Sequence, residues 1–87
     1  MSPLNATNIT TATTTTVKSG RGVLARIVVG TTAAGAITIY DNTAASGTII
    51  GKLKSSIVEG TYHYGVKFGT GLTIVTAAAS DITVVWE

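Results

Sequence analysis

The chain has 87 residues, six Lys or Arg against four Asp or Glu, one His and no Cys. That length makes one domain, whose core buries only roughly 60–65 % of the unfolded surface, and the missing cysteines exclude disulfides, thiolate metal sites and cysteine nucleophiles, leaving oligomerisation as the staple a small core needs. Charged residues are 11 % of the chain against about 25 % in an ordinary domain, which predicts an outer surface partly covered by another protein.

In chain order, residues 1–12 are polar and rich in Asn and Thr, and read as a flexible arm. The arm either frays or docks as an extended segment on a neighbouring subunit. It has neither the basic start nor the apolar run of a signal peptide, so the acceptor patterns at Asn5 and Asn8 carry no glycosylation argument. No run approaches the ~18 apolar residues of a membrane helix, and a soluble, cytoplasmically made chain is expected.

From Thr13 onward, short Val, Ile and Thr runs are interrupted about every 8–12 residues by Gly, Asn, Asp or Ser, the pattern of an all-β sandwich or barrel. The first strand is expected at Thr13–Lys18, whose β-branched threonines suit a pleated sheet. Ser19–Gly22 is a turn. Val23–Val29 follows, with Val23, Ala25, Ile27 and Val29 on one face and Leu24, Arg26 and Val28 on the other. Both faces are largely apolar, so the second is assigned to a subunit contact or to the arm. After the small-residue loop Gly30–Gly35, Ala36–Tyr40 should point Ile37 and Ile39 inward and Thr38 and Tyr40 outward. Asp41–Gly47 is a longer turn. Thr48–Leu53 carries Gly51 as a bulge or close-approach point, and Ile57-Val58 in the next connection is placed to cap one end of the core. Tyr62–Phe68 aligns Tyr62, Tyr64, Val66 and Phe68 on one face. Gly69-Thr70-Gly71 is a tight turn before Leu72–Thr76. Ala77–Ser80 loops into Asp81–Glu87, where Ile82, Val84 and Trp86 share a face. The expected fold is a single small antiparallel β-sandwich, jelly-roll or Ig-like, of about seven to eight strands over 13–87.

Chemistry finds little purchase. His63 is the one general-base histidine, and Tyr62 and Tyr64 beside it point the other way. Asp41 and Asp81 sit at strand boundaries, where Asp caps turns, and Asp41-Asn42-Thr43 is too thin for calcium. Gly20-Arg21-Gly22 and Gly69-Thr70-Gly71 precede no helix, so they read as hairpin turns and not as phosphate cradles. The aromatic row Tyr62, Tyr64, Phe68 and Trp86 is assigned to the core, with sugar stacking as the competing use. The net charge is +2, but Lys18, Arg21, Arg26, Lys52, Lys54 and Lys67 are scattered, whereas a nucleic-acid footprint is clustered. No catalytic residue, cofactor, metal, nucleic acid or membrane is expected.

The runs Leu24–Val29, Ile37–Asp41, Tyr64–Thr76 and Asp81–Glu87 resemble those of small structural proteins of tailed-bacteriophage virions, over roughly Thr13 to the end. The resemblance implies a non-enzymatic virion component, a capsid decoration (cement) protein, made in the bacterial cytoplasm and bound to the major capsid protein. It also implies a mostly β fold and a homo-oligomer, expected as a trimer. Candidate oligomer or capsid contacts are Thr7, Ile9, Thr14 and Thr16, from which an extended segment could add as a strand to a neighbour, together with Leu24, Arg26 and Val28. The competing reading is a head-fibre, neck or tail-associated module that binds a receptor or carbohydrate through Tyr40, Tyr62, Tyr64 or Trp86.

Overall fold

A computed structural model describes residues 4–87; the first three residues of the expected arm lie outside the described residues. The chain forms β1 (Asn5–Ile9), β2 (Thr14–Ser19), β3 (Gly22–Thr31), β4 (Ile37–Asp41), β5 (Thr48–Leu53), β6 (Gly60–Phe68), β7 (Gly71–Thr76) and β8 (Asp81–Trp86). Two four-stranded sheets stack, one in the order β1-β8-β3-β6 and the other β2-β7-β4-β5. Every neighbouring pair is antiparallel. Eight strands wound this way between two sheets make a jelly roll, so the all-β sandwich read from strand spacing is the fold.

The inner faces follow the period-2 alternation of each strand. Ile9, Leu24, Ile27, Val29, Phe68, Ile82 and Val84 from the first sheet meet Ile37, Ile39, Leu53, Leu72 and Ile74 from the second in one buried cluster. The expected inward pairs Ile37/Ile39 and Leu72/Ile74 are in this core, as are Ile82 and Val84, read as sharing one face of β8.

Strand β3 departs from the expected alternation. Leu24, Ile27 and Val29 are all buried, a spacing that a regular strand cannot produce. The cause is a bulge. Leu24 pairs with Trp86 while Arg26 pairs with Val85, so Ala25 is an extra residue against β8. Across the other edge, three steps from Val66 to His63 match two from Leu24 to Arg26, and Gly65 takes up the surplus with φ +64, a conformation open to glycine. The two apolar faces read from sequence are therefore one inner face whose phase switches at Ala25. Leu24 is 0 % exposed and is a core residue, which corrects its assignment to the outer face with Arg26 and Val28.

The arm is also corrected over its described part. Asn5–Ile9 pairs with β8 of its own chain, and Ile9 is 4 % exposed in the core. β1 is an integral edge strand because Ile9 and Thr7 continue the inward rows of Ile82 and Val84. The following residues are tied down too: the Thr76 hydroxyl donates to the Thr11 carbonyl at 2.6 Å, and the Thr13 amide donates to the Thr76 Oγ1 at 3.1 Å.

The two glycine turns are not hairpins. Of the seven connections, only β4–β5 stays within a sheet, and the other six cross. Ser19–Gly22 and Gly69–Gly71 both carry the chain from one sheet to the other, side by side, with the Gly20 amide donating to the Thr70 carbonyl at 2.9 Å. Gly51 is a close-approach point as expected: a Cβ there would lie 2.7 Å from Tyr64 Cε1. A bulge sits beside it, because Ile39 faces Gly51 while Tyr40 faces Ile49. Tyr64 thus closes the seam between edge strands β6 and β5. Ile57 packs on the core, whereas Val58 is 73 % exposed and caps nothing.

Candidate functional site

The titratable groups are dispersed. His63 is exposed and lies opposite Arg26 on the outer face of the first sheet, with a cation and not a carboxylate as its cross-strand neighbour. Glu59 accepts the Thr32 amide at 3.1 Å, and Asp81 accepts from Asn8 Nδ2 at 2.8 Å. No group of three His, Cys, Asp or Glu among the described residues is placed to hold a metal ion. No helix in the described residues is long and apolar enough to cross a membrane.

Asp41 has a local role that its sequence position concealed. Its carboxylate reaches across to the β6–β7 crossing and accepts the amides of Thr70 at 2.9 Å, Gly69 at 3.1 Å and Gly71 at 3.4 Å. The Thr70 and Gly69 hydrogen bonds hold the carboxyl below its usual range, against a smaller opposing desolvation, with Gly71 adding to the lowering. Three successive amides form a nest for one anion, and the protein's own side chain fills it. The available signal was Gly-Thr-Gly itself, a run of amide donors with no strand partner and hence in need of an acceptor.

The candidate contact residues fall into four places. Ile9 and Leu24 are in the core. Thr7 accepts the Trp86 indole N–H at 3.1 Å. Arg26 and Val28 share the outer face of the first sheet, whereas Thr14 and Thr16 belong to the outer face of the second. No single patch gathers them. Thr16 is partly engaged, donating to the Thr43 carbonyl at 3.2 Å, because the β4–β5 loop folds back over this end of the sheet. The same loop buries Thr73, whose hydroxyl donates to the Asn42 carbonyl at 2.7 Å.

Beyond that loop the outer face of the second sheet is open. One row crosses all four strands as Thr14, Val75, Thr38 and Lys52, and Tyr40 lies opposite Ile49, which is 53 % exposed. Five of these six side chains are uncharged. The aromatic side chains are mostly spoken for. Phe68 is buried, and the Tyr62 hydroxyl donates to the Val58 carbonyl. Burial of Tyr64 against the core pushes its phenol pKa up. The Trp86 ring carries Lys18 Nζ at 5.6 Å from its centroid, so a cation already occupies the face a sugar would stack on.

At the end of the sandwich where the two crossings meet lies an open concavity of about 620 Å³, lined among others by Lys18, Arg21, Lys67, Phe68, Gly69 and Glu87. Half of the six cations that look scattered in the sequence meet here. Lys18 is the penultimate residue of β2, Arg21 is in the β2–β3 turn and Lys67 is on β6.

No protein-family model matches this chain, and no curated protein does. Among solved structures it is similar to the core of Drosophila NLP, with a TM-score of 0.60 at 15 % identity over 95 % of this chain and 94 % of that one. The structure of that protein provides insight into pentamer formation and histone binding. At this identity the likeness is one of fold.

Proposed function

We propose that this chain is a non-enzymatic structural protein of a tailed-phage virion, a decoration protein that binds the outer major-capsid lattice as a homo-oligomer and stabilises the head. The observation that carries the reading is the open outer face of the second sheet. Thr14, Thr38, Val75, Tyr40 and Ile49 make a broad face with a single charge, Lys52, on a chain with no disulfide. Such a face gains by being covered, through burial of apolar area at roughly 25 cal/mol/Å² and exclusion of water from its threonines. The dispersal of His63 and the acids supplies no converging set for chemistry.

The Drosophila neighbour lends support only to the idea that such a sandwich can assemble into an oligomer, there a pentamer. Histone binding does not carry over easily. Histones are basic, and this chain has four acidic residues against six basic ones, the wrong sign for electrostatic complementarity.

The test is mass under native conditions, by native mass spectrometry or light scattering. A trimer is expected, a pentamer would replace the stoichiometry and keep the assembly, and a clean monomer overturns self-association. Val75→Glu, at an outward position on β7, should leave the free energy of unfolding within about 1 kcal/mol of wild type and abolish assembly and binding to undecorated heads. Unchanged head binding by this variant would remove the face from the proposal. The competing receptor- or carbohydrate-binding reading rests on Tyr40, whose ring lies on this same outer face opposite Ile49. Glycan-array binding lost on Tyr40→Ala with the fold intact would favour it.

A further inference from the structure

We infer that the concavity between the two inter-sheet crossings is a binding site for an acidic peptide segment of a partner protein. The site does not depend on the capsid assignment.

Three cations come to it from three elements. Lys18 and Lys67 are 49 positions apart in the chain, and the adjacent, oppositely directed β2–β3 and β6–β7 crossings bring them to one hollow. The hollow is firmly built. Gly20 is stitched to Thr70, Asp41 locks the amides of residues 69–71, and buried Phe68 forms part of its lining. Lys18 is steered by the face of Trp86. No ion pair engages Lys18, Arg21 or Lys67 among the described residues. Against these three basic side chains the lining holds one acidic side chain, Glu87. Gathering like charges without partners is unfavourable, and an incoming anion relieves it.

The chemistry favours carboxylates on a polypeptide. Arg21 offers a planar fork matched to a carboxylate, and the lysines add point charges. A nucleic-acid backbone needs a longer basic track, which this surface lacks. Arg26 is on the outer face of the first sheet, Lys52 is on that of the second, and Lys54 follows β5 at the opposite end of the sandwich. A local hollow in which three basic side chains face one acidic side chain suits a short run of Asp or Glu.

The experiment is a titration of isotope-labelled protein followed by amide chemical shifts, with hexaglutamate and hexathymidylate as probes. Hexaglutamate is expected to shift Gly20, Gly22, Lys67 and Gly69 and the Trp86 indole N–H saturably, and to weaken as salt is raised. The triple variant K18Q/R21Q/K67Q should bind it roughly tenfold more weakly or worse, while K52Q/K54Q binds as wild type does. Should the triple variant fail to fold, Arg21→Glu in the exposed turn must abolish the shifts by itself. No saturable shift, or an equal loss in K52Q/K54Q, overturns the site. Tighter binding of hexathymidylate than of hexaglutamate overturns the assignment to an acidic protein segment.

Discussion

Asp41 and Tyr64 show how single side chains fasten the β6–β7 crossing and the seam between β5 and β6. The Asp41 carboxyl is held below its ordinary value of 3.8 by the Thr70 and Gly69 amides. A depressed folded-state pKa contributes stability that is present above the unfolded value and is lost as pH falls through the folded one. Asp41→Asn should therefore lower the melting temperature at neutral pH, with the gap to wild type closing as the solution is acidified below that range. A gap that stays constant down to strong acid would show that the charge is not what the nest recognises. At the seam, Gly51→Ala forces a methyl against the Tyr64 ring. The expected cost is about 1–3 kcal/mol by urea unfolding. In a Tyr64→Ala background the same change should cost less, because the clashing ring is gone.

At the level of elements, the bulge at Ala25 makes a sharp distinction between neighbours that look alike in sequence. Leu24→Ala should cost about 2–5 kcal/mol, the range for a fully buried leucine, whereas Val28→Ala, on the outer face, should cost well under half as much in equilibrium unfolding. Equal costs would put the phase switch elsewhere. Removing residues 1–10 strips β8 of its edge partner, opens the core at Ile9 and leaves the Trp86 indole without Thr7. The truncated chain is expected to lose its cooperative unfolding transition, measured by circular dichroism. The strands from β2 to β8 were legible because alternation and β-branched residues mark them locally, and Ile37, Ile39, Ile74 and Val84 point where that alternation says. The bulge was not legible, since an extra residue in a ladder is defined by its partners, and nothing around Ala25 announces them. β1 escaped notice for a related reason: only Ile9 in Asn5–Ile9 is a large apolar residue, so the strand is created by the β8 it pairs with. Gly20-Arg21-Gly22 and Gly69-Thr70-Gly71 have the composition of hairpin turns, but whether a turn stays in its sheet depends on where the next strand finds a partner.

Across the whole molecule, the arrangement of strands does what composition alone does not suggest. Cations spread along the chain become one basic hollow, while the outer face of the second sheet keeps a single lysine. The same winding has a consequence for synthesis. In the first sheet β8 stands between β1 and β3, so β1 has no partner until residues Asp81–Trp86 have left the ribosome. Until then a nascent chain can form only the β3–β6 ladder of that sheet, and it exposes Leu24, Ile27 and Val29 along an open edge. Pairing of such distant segments is slow, and unpaired edges invite association with other chains. Ribosome-bound chains halted just before Asp81 should therefore be protease-sensitive throughout, and chains extended past Trp86 with a linker clearing the exit tunnel should become resistant in a single step.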